Sequence, residues 1–401
     1  MTQRLLQYHS RELVLGLDFG SSSTVAGVLI GDQVQLVQEH GDPAIPSVVY
    51  LPDRGPPEIG RSAVAQQMTE PSKVIRSVKR VLGQPADSEL VRHYVAGVPY
   101  RIERSGDRLS YKFRSGNISP EQIAGMILGR IRELAESRFG AKIRKMVMTM
   151  SAVAPDGYRD AAIRAARLAR LEVLEFVAEP IAGTLALDLS HHNVRRRIVV
   201  CDFGGGTFDV SAVAQDGLGF TPIATHGDHY LGGDDLDDAL AEAIARIVFR
   251  SHHFDMHKDV VRWNELLLRC ESAKRQLSSL AEAPLAMRDA YLETECLRDL
   301  SLVLDLAWAE VVWAPQIARG RAVVEELLRR AGWQVADVDV VGLIGGSSHV
   351  RSFRAALVGM FGNSKLLIAP DAVHAVARGA TMLTARHRKE RTDRIPILLD
   401  A

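Results

Sequence analysis

Two stretches of the chain break an apolar run in the same way. Residues 15–29 (LGLDFGSSSTVAGVL) and 199–213 (VVCDFGGGTFDVSAV) each run apolar into Asp-Phe-Gly, turn at small or glycine residues, and resume as a β-prone segment. That pattern predicts strand, tight turn, strand. A repeat this long is not a solenoid period and predicts a duplicated lobe. Between the two hairpins, residues 119–139 and 156–171 read as helices separated by a short strand at 145–150. After the second come a helix-prone segment through 280, an extended patch at about 286–300 and a helix over 302–331. An apolar run at 338–344 predicts a buried strand ending in Gly345-Gly346-Ser347, before a helix-like run from about Val350. Strands followed by helices, twice over, predict an α/β architecture.

Composition narrows the class. At 401 residues, with 47% apolar and 24% charged positions, the chain is expected to form two or three globular units. Lys plus Arg and Asp plus Glu number 49 each, so no net field draws the chain to nucleic acid or an anionic membrane, and neither partner is expected. The local run Arg195-Arg196-Arg197 reads as a solvated strand entry or loop rather than a binding patch. Three cysteines, Cys201, Cys270 and Cys296, lack metal-site or disulfide spacing and fit a reducing cytosol. No apolar run approaches the roughly 18 residues of a membrane span, and the N-terminus lacks a signal-like apolar core. The expectation is a soluble, cytoplasmic protein.

The hairpin turns carry the first candidate chemistry. Gly20, Ser21, Ser22 and Ser23 offer backbone N–H groups and hydroxyls to a phosphate, and Asp18 sits at a strand end where a hydrated magnesium ion would offset its burial. Gly204, Gly205, Gly206 and Thr207, with Asp202 and Asp209, repeat the arrangement without Cβ obstruction. One such turn is weak evidence; two with the same opening predict a clamp on phosphates. Glu271, Lys274, Arg275 and Ser278 recur on one stripe of a helix, opposite Leu266, Cys270, Ala273 and Leu277. That stripe is either a solvated face or a nucleoside surface, with Arg275 stacking on the base and Glu271 or Lys274 on the ribose. Gly345, Gly346 and Ser347 place a helix N-terminus where it could face a phosphate.

Taken in order, these elements resemble the nucleotide-binding domain of the DnaK-type (heat shock protein 70) chaperones over nearly the whole chain. The first hairpin resembles that family's Gly-Ile-Asp-Leu-Gly-Thr-Thr opening, with Ser21 and Ser22 for the two threonines. CDFGGGTFDVS is close to the family's phosphate-binding signature, and LGGDDLD (231–237, including Gly232 and Gly233), ESAKRQLSS from Glu271 and LIGGSSHV (including His349) come in the same order. VKRVLG puts the family's catalytic lysine on Lys79, and AEPIAGTLAL its glutamate on Glu179. The resemblance implies an actin-like, ribonuclease H-like duplicated ATPase fold. It further implies that ATP or ADP binds with Mg2+, and names K+ as a further candidate. Asp18, Asp202 and Glu179 would hold the magnesium through its waters, Lys79 would orient the attacking water, and Asp209 is a further acid beside it. Asp371, in PDAVHAVARGA, is a nucleotide contact by the same carry-over.

The resemblance also implies a layout. Lobe I is expected over 11–195, with an inserted subdomain at about 47–123. Lobe II is expected over 196–388, with an insert at about 236–315 and a return to lobe I over about 365–388. The tail, 389–401, resembles the family's interdomain linker at Ile397-Leu398-Leu399-Asp400, through which a peptide-binding domain would be coupled; the chain is read as an ATPase part without that domain. A nucleotide exchange factor is a further expected partner, and a monomer the expected state. Two departures stand out. Ser151 replaces a proline linked to interdomain signalling, although Arg159, its usual partner, is present. Glu175 replaces a basic residue that contributes to J-domain docking in bacterial members, so a conventional J-domain partner is not expected. The alternatives on the same fold are a small-molecule kinase and a filament-forming relative of actin or MreB.

Overall fold

The computed structural model describes residues 13–106, 108–114, 116–151, 153–187, 195–217, 219–293, 296–369 and 371–387. The linker-like segment 397–400 lies outside them.

Five strands of the first half, β1 (Leu13–Phe19), β2 (Ser23–Ile30), β3 (Gln33–Leu36), β4 (Ile143–Met150) and β5 (Glu172–Ala178), form a sheet in the order β5-β4-β1-β2-β3, with Ile45–Pro46 added beside β2. The second half repeats it. Strands β6 (Arg195–Phe203), β7 (Phe208–Asp216), β8 (Gly219–Asp228), β9 (Val340–Ile344) and β10 (Leu366–Ile368) lie in the order β8-β7-β6-β9-β10. In each sheet the first three strands meander antiparallel, the fourth pairs parallel to the first, and the fifth pairs parallel to the fourth. The Asp-Phe-Gly repeat is therefore the first hairpin of each of two equivalent sheets.

Local chemistry sets the helix limits. Helix α1 (Pro120–Phe139) starts at a capping box, Ser119 with Gln122, and stops at Gly140 in the left-handed region. Helix α2 begins only at Tyr158, after Pro155 and Gly157, and ends at Leu168, because Arg170 turns left-handed and Glu172 enters β5. Glu179 opens α3 (Glu179–Ala186). The long helix-prone segment splits into α4 (Gly233–His252) and α5 (Val260–Leu277), because His253 is left-handed and Asp259 caps a new start. The extended patch is a hairpin, Glu282–Glu293 with Cys296–Asp305. Residues 302–305 belong to its second strand, and Asp305 caps α6 (Leu306–Ala331), so that helix starts later than its periodicity predicts. Helix α7 (Arg351–Phe361) follows β9, and α8 (Ala375–Leu383) follows β10.

The apolar side chains gather into three main cores. One fills the first sheet and α1 and α2, a second fills the other sheet and α4 to α7, and a third joins the two through α3 and α8. The joining helices cross closely: a Cβ on Gly379 would collide with the Ala182 backbone, and one on Gly16 with Thr381. This central layer is where the two sheets meet, and α3, which belongs to it, carries Glu179 at its first turn.

Candidate active site

The two hairpins meet tip to tip. In the second, Phe203 pairs with Phe208, and the Gly204 N–H donates to the Thr207 carbonyl at 3.0 Å, closing a tight four-residue turn. Phe203, Phe208 and Phe353 pack beneath it with centroids 4.5–5.2 Å apart. The first turn is braced by Ser47, whose hydroxyl donates to the Gly20 carbonyl at 2.8 Å. A Cβ on Gly205 would collide with the Ser22 hydroxyl, and one on Gly206 would crowd Ser21, so glycine is what lets the second tip reach the first.

Behind the tips, four acids and one lysine gather from five segments. Asp18 ends β1 and accepts from the Thr149 hydroxyl at 3.1 Å. Asp202 and Asp209 face each other across the second hairpin. Asp209 is buried and accepts from the hydroxyls of Ser151 and Thr207, each at 3.0 Å. Lys79, on the short helical turn Val78–Val81, donates to Glu179 at 2.8 Å, and both side chains are largely buried. Burial and mutual repulsion push Asp18 and Asp209 up to about 6 and Asp202 well above the carboxylate range. Lys79, held between Glu179 and Asp18 with their negative charges, is raised and stays a cation.

Such a concentration of hard oxygen donors with one cation fits a divalent ion. No three His, Cys, Asp or Glu side chains among the described residues converge to ligate a metal directly. The carboxylate oxygens suit the water shell of a magnesium ion, which dehydrates reluctantly.

A cleft of about 480 Å³ opens beside this cluster, with Ser21, Lys79, Ser151, Tyr158 and Thr207 on its wall. A second, of about 720 Å³, lies between Arg76, His93 and Tyr94 on one side and Asp234, Leu267 and Glu271 on the other.

The remaining candidates divide. Gly232 and Gly233 stand against the second hairpin: the Gly233 and Asp234 N–H groups donate to the Gly204 and Gly205 carbonyls at 3.0 and 2.7 Å. Ser347 donates to the Gly204 carbonyl at 2.8 Å, and Gly345, at φ 82°, lets the chain pass Asp202. Gly346 and Ser347 open a 3-10 turn, Gly346–His349, ahead of α7, and His349 is exposed. On α5, Glu271 and Arg275 pair at 2.6 Å, with Arg275 exposed, whereas Lys274 is buried, donating to Asp237 at 2.6 Å and to the Gly233 carbonyl at 2.7 Å. The polar stripe is thus split, with its lysine turned into the protein. Ser278 caps the helix and donates to the Lys274 carbonyl. Asp371 pairs with His374 at 2.6 Å at the start of α8.

Several neighbours carry no motif signal in the sequence. Arg80 donates to the Gly206 carbonyl at 2.9 Å, reaches Asp235 at 3.4 Å and lies 5.0 Å from the Tyr230 ring centroid, tying the lysine's turn to the second lobe. Thr149 and Tyr158 are likewise unmarked. Of the two departures, Ser151 holds Asp209, and Glu175 on β5 is engaged by Arg386 at 3.0 Å and His387 at 2.8 Å. Arg159 lies over the Phe176 ring, 4.9 Å from its centroid.

A family model described as Hsp70 protein matches residues 14–401. The mitochondrial 70 kDa heat shock protein of Pisum sativum is 31% identical over 372 residues, covering 92% of this chain and 54% of its own length. Its counterpart from Solanum tuberosum is 30% identical over the same shares. The chain spans about half the length of the curated relatives it matches. The duplicated sheets are accordingly those of the actin-like α/β fold. The cytoplasmic expectation is corrected by the same comparison: both relatives are mitochondrial by name, so spare cysteines and an unremarkable N-terminus do not assign a compartment.

Proposed function

The chain belongs to the Hsp70 family, and from that premise we propose that it is the ATP-binding and ATP-hydrolysing part of a DnaK-type chaperone, coupling nucleotide state to client binding by a partner domain. The observation that carries this reading is the Lys79–Glu179 ion pair set among three aspartates at the meeting point of two equivalent hairpins.

The placement sets the chemistry. The turns at Gly20–Ser23 and Gly204–Thr207 supply N–H groups and hydroxyls to the phosphates from both lobes. A magnesium ion, held through its waters by Asp18, Asp202 and Glu179, would neutralise phosphate charge. Lys79 stays protonated and orients the terminal phosphate and the attacking water. Asp209, raised to about 6 and fixed by Ser151 and Thr207, is matched to take up the water's proton near neutral pH. Arg275, exposed on α5, and the half-buried Glu271 remain available to the nucleoside, while Lys274 acts by holding α5 to α4.

Glu175 is committed to Arg386 and His387, which supports a partner face different from that of a conventional J-domain site. The kinase and filament readings are not favoured, because the family match extends across both lobes. Titration with MgATP and MgADP, followed by single-turnover hydrolysis, tests the proposal. Binding of both with slow release of phosphate is expected; phosphate passed to a sugar or carboxylate with no hydrolysis in water would overturn it.

A further inference from the structure

Tyr158, at the first turn of α2, is almost fully buried, yet no group among the described residues accepts from or donates to its hydroxyl. Buried hydroxyls are ordinarily satisfied, and one left unpaired is destabilising unless another state of the protein supplies a partner. Its surroundings show where that partner would come from. Tyr158 forms part of the wall of the smaller cleft, with Lys79, Ser151 and Thr207, and feels the charges of Lys79, Glu179 and Asp18.

Its position is fixed from below. Gly83, at φ 74°, comes just after the Lys79 turn and passes so close to Gly157 and Tyr158 that a Cβ there would collide with their backbone. The turn bearing Lys79 and the start of α2 are therefore pressed together, and lysine and phenol are presented side by side.

We propose that the Tyr158 hydroxyl donates a hydrogen bond to an oxygen of the terminal phosphate of ATP, as a further substrate-contacting residue of the hydrolysis reaction. The inference rests on the ATP reading above. Burial and the nearby Glu179 and Asp18 carboxylates push the phenol up to about 12, so it is a neutral donor throughout the physiological range. A neutral donor adds to Lys79 without adding a second charge that would hold product back. ADP lacks the third phosphate that carries this oxygen, so the contact distinguishes the two nucleotides.

The test is Tyr158→Phe, which keeps the ring and removes only an unpaired hydroxyl, so its melting temperature should equal or exceed that of the parent. Single-turnover MgATP hydrolysis is expected to fall by about 10²-fold, the usual effect of losing one donor to developing charge. MgATP affinity should fall several-fold relative to MgADP affinity. 4-Aminophenylalanine at position 158, which restores a donor on the same ring, should recover part of the rate. Hydrolysis and the ATP-to-ADP affinity ratio both at parental values would overturn the inference. So would slowed hydrolysis with an unchanged ratio, because the acceptor would then not be the phosphate. If the parent binds no ATP, it is the underlying reading that fails.

Discussion

Lys79 and Glu179 lie 100 residues apart in sequence and pair at 2.8 Å, joining the turn Val78–Val81 to the helix that links the two sheets. The pair sits where three aspartates converge, so its cation is the counter-charge that the cluster needs. Both lobes thereby depend on one lysine for electrostatic balance before any nucleotide binds.

The raised acids make the cleft a stability liability above their pKa. A carboxyl whose folded pKa is raised contributes stability that is complete below its unfolded value and is lost as pH rises through the folded value. For Asp18 and Asp209 that window runs from 3.8 to about 6, so at pH 7 both destabilise the nucleotide-free protein. Asp209→Asn, which keeps an acceptor for one of the two hydroxyls and offers the other an N–H donor, is expected to raise the melting temperature at pH 7, to do so less at pH 4.5, and to slow hydrolysis. Calorimetry on the nucleotide-free protein reads this; a lower melting temperature at pH 7 would contradict it.

Ser151 donates to the acid assigned to the attacking water. Ser151→Ala removes one of two hydroxyl donors to the Asp209 carboxylate, and losing a bond to the charged form raises its pKa further. The acid limb of the hydrolysis pH profile should move upward by about half a unit to one unit, with MgADP affinity little changed. An unshifted limb would remove Asp209 from the role of base.

Lys274 is expected to matter for folding more than for nucleotide contact. Removing one partner of a buried ion pair costs about 3–5 kcal/mol, and Lys274 and Asp237 are both buried. Lys274→Met should lower stability to urea by that order, and adding Asp237→Leu should recover most of it. A fully stable Lys274→Met with weakened MgADP binding would return the residue to the ribose.

The Gly205 contact tests the clamp. Gly205→Ala drives a methyl group into the Ser22 hydroxyl, so the two tips must separate. MgATP affinity should fall by at least about tenfold, as expected when anion-binding donors are displaced from register, while the melting temperature changes little because the contact lies between lobes rather than in a core. Unchanged affinity would show that the tips act independently.

The hairpins, the duplicated sheets and the acids at strand ends are legible in the sequence because local signals specify them: a tight turn needs glycine, and an apolar run that stops at a carboxylate marks a strand end. Helix limits are legible where a cap marks them, as at Ser119, and misjudged at 302–305, where strand pairing overrides helical periodicity. Arg80, Thr149 and Tyr158 are not legible, since each matters only through a neighbour brought from another segment. Lys274 shows the converse: helical spacing puts it on the stripe with Glu271 and Arg275, but its side chain turns inward to Asp237.

Lys79 offers the most direct test of the site. Single-turnover hydrolysis of MgATP by the parent chain and by Lys79→Ala, with bound nucleotide measured in the same samples, separates binding from chemistry. Nucleotide is expected on both proteins, with hydrolysis reduced by about 10²–10³-fold in the variant. Equal rates would contradict the central claim that this lysine, paired with Glu179 at the meeting point of two hairpins, orients the reacting groups.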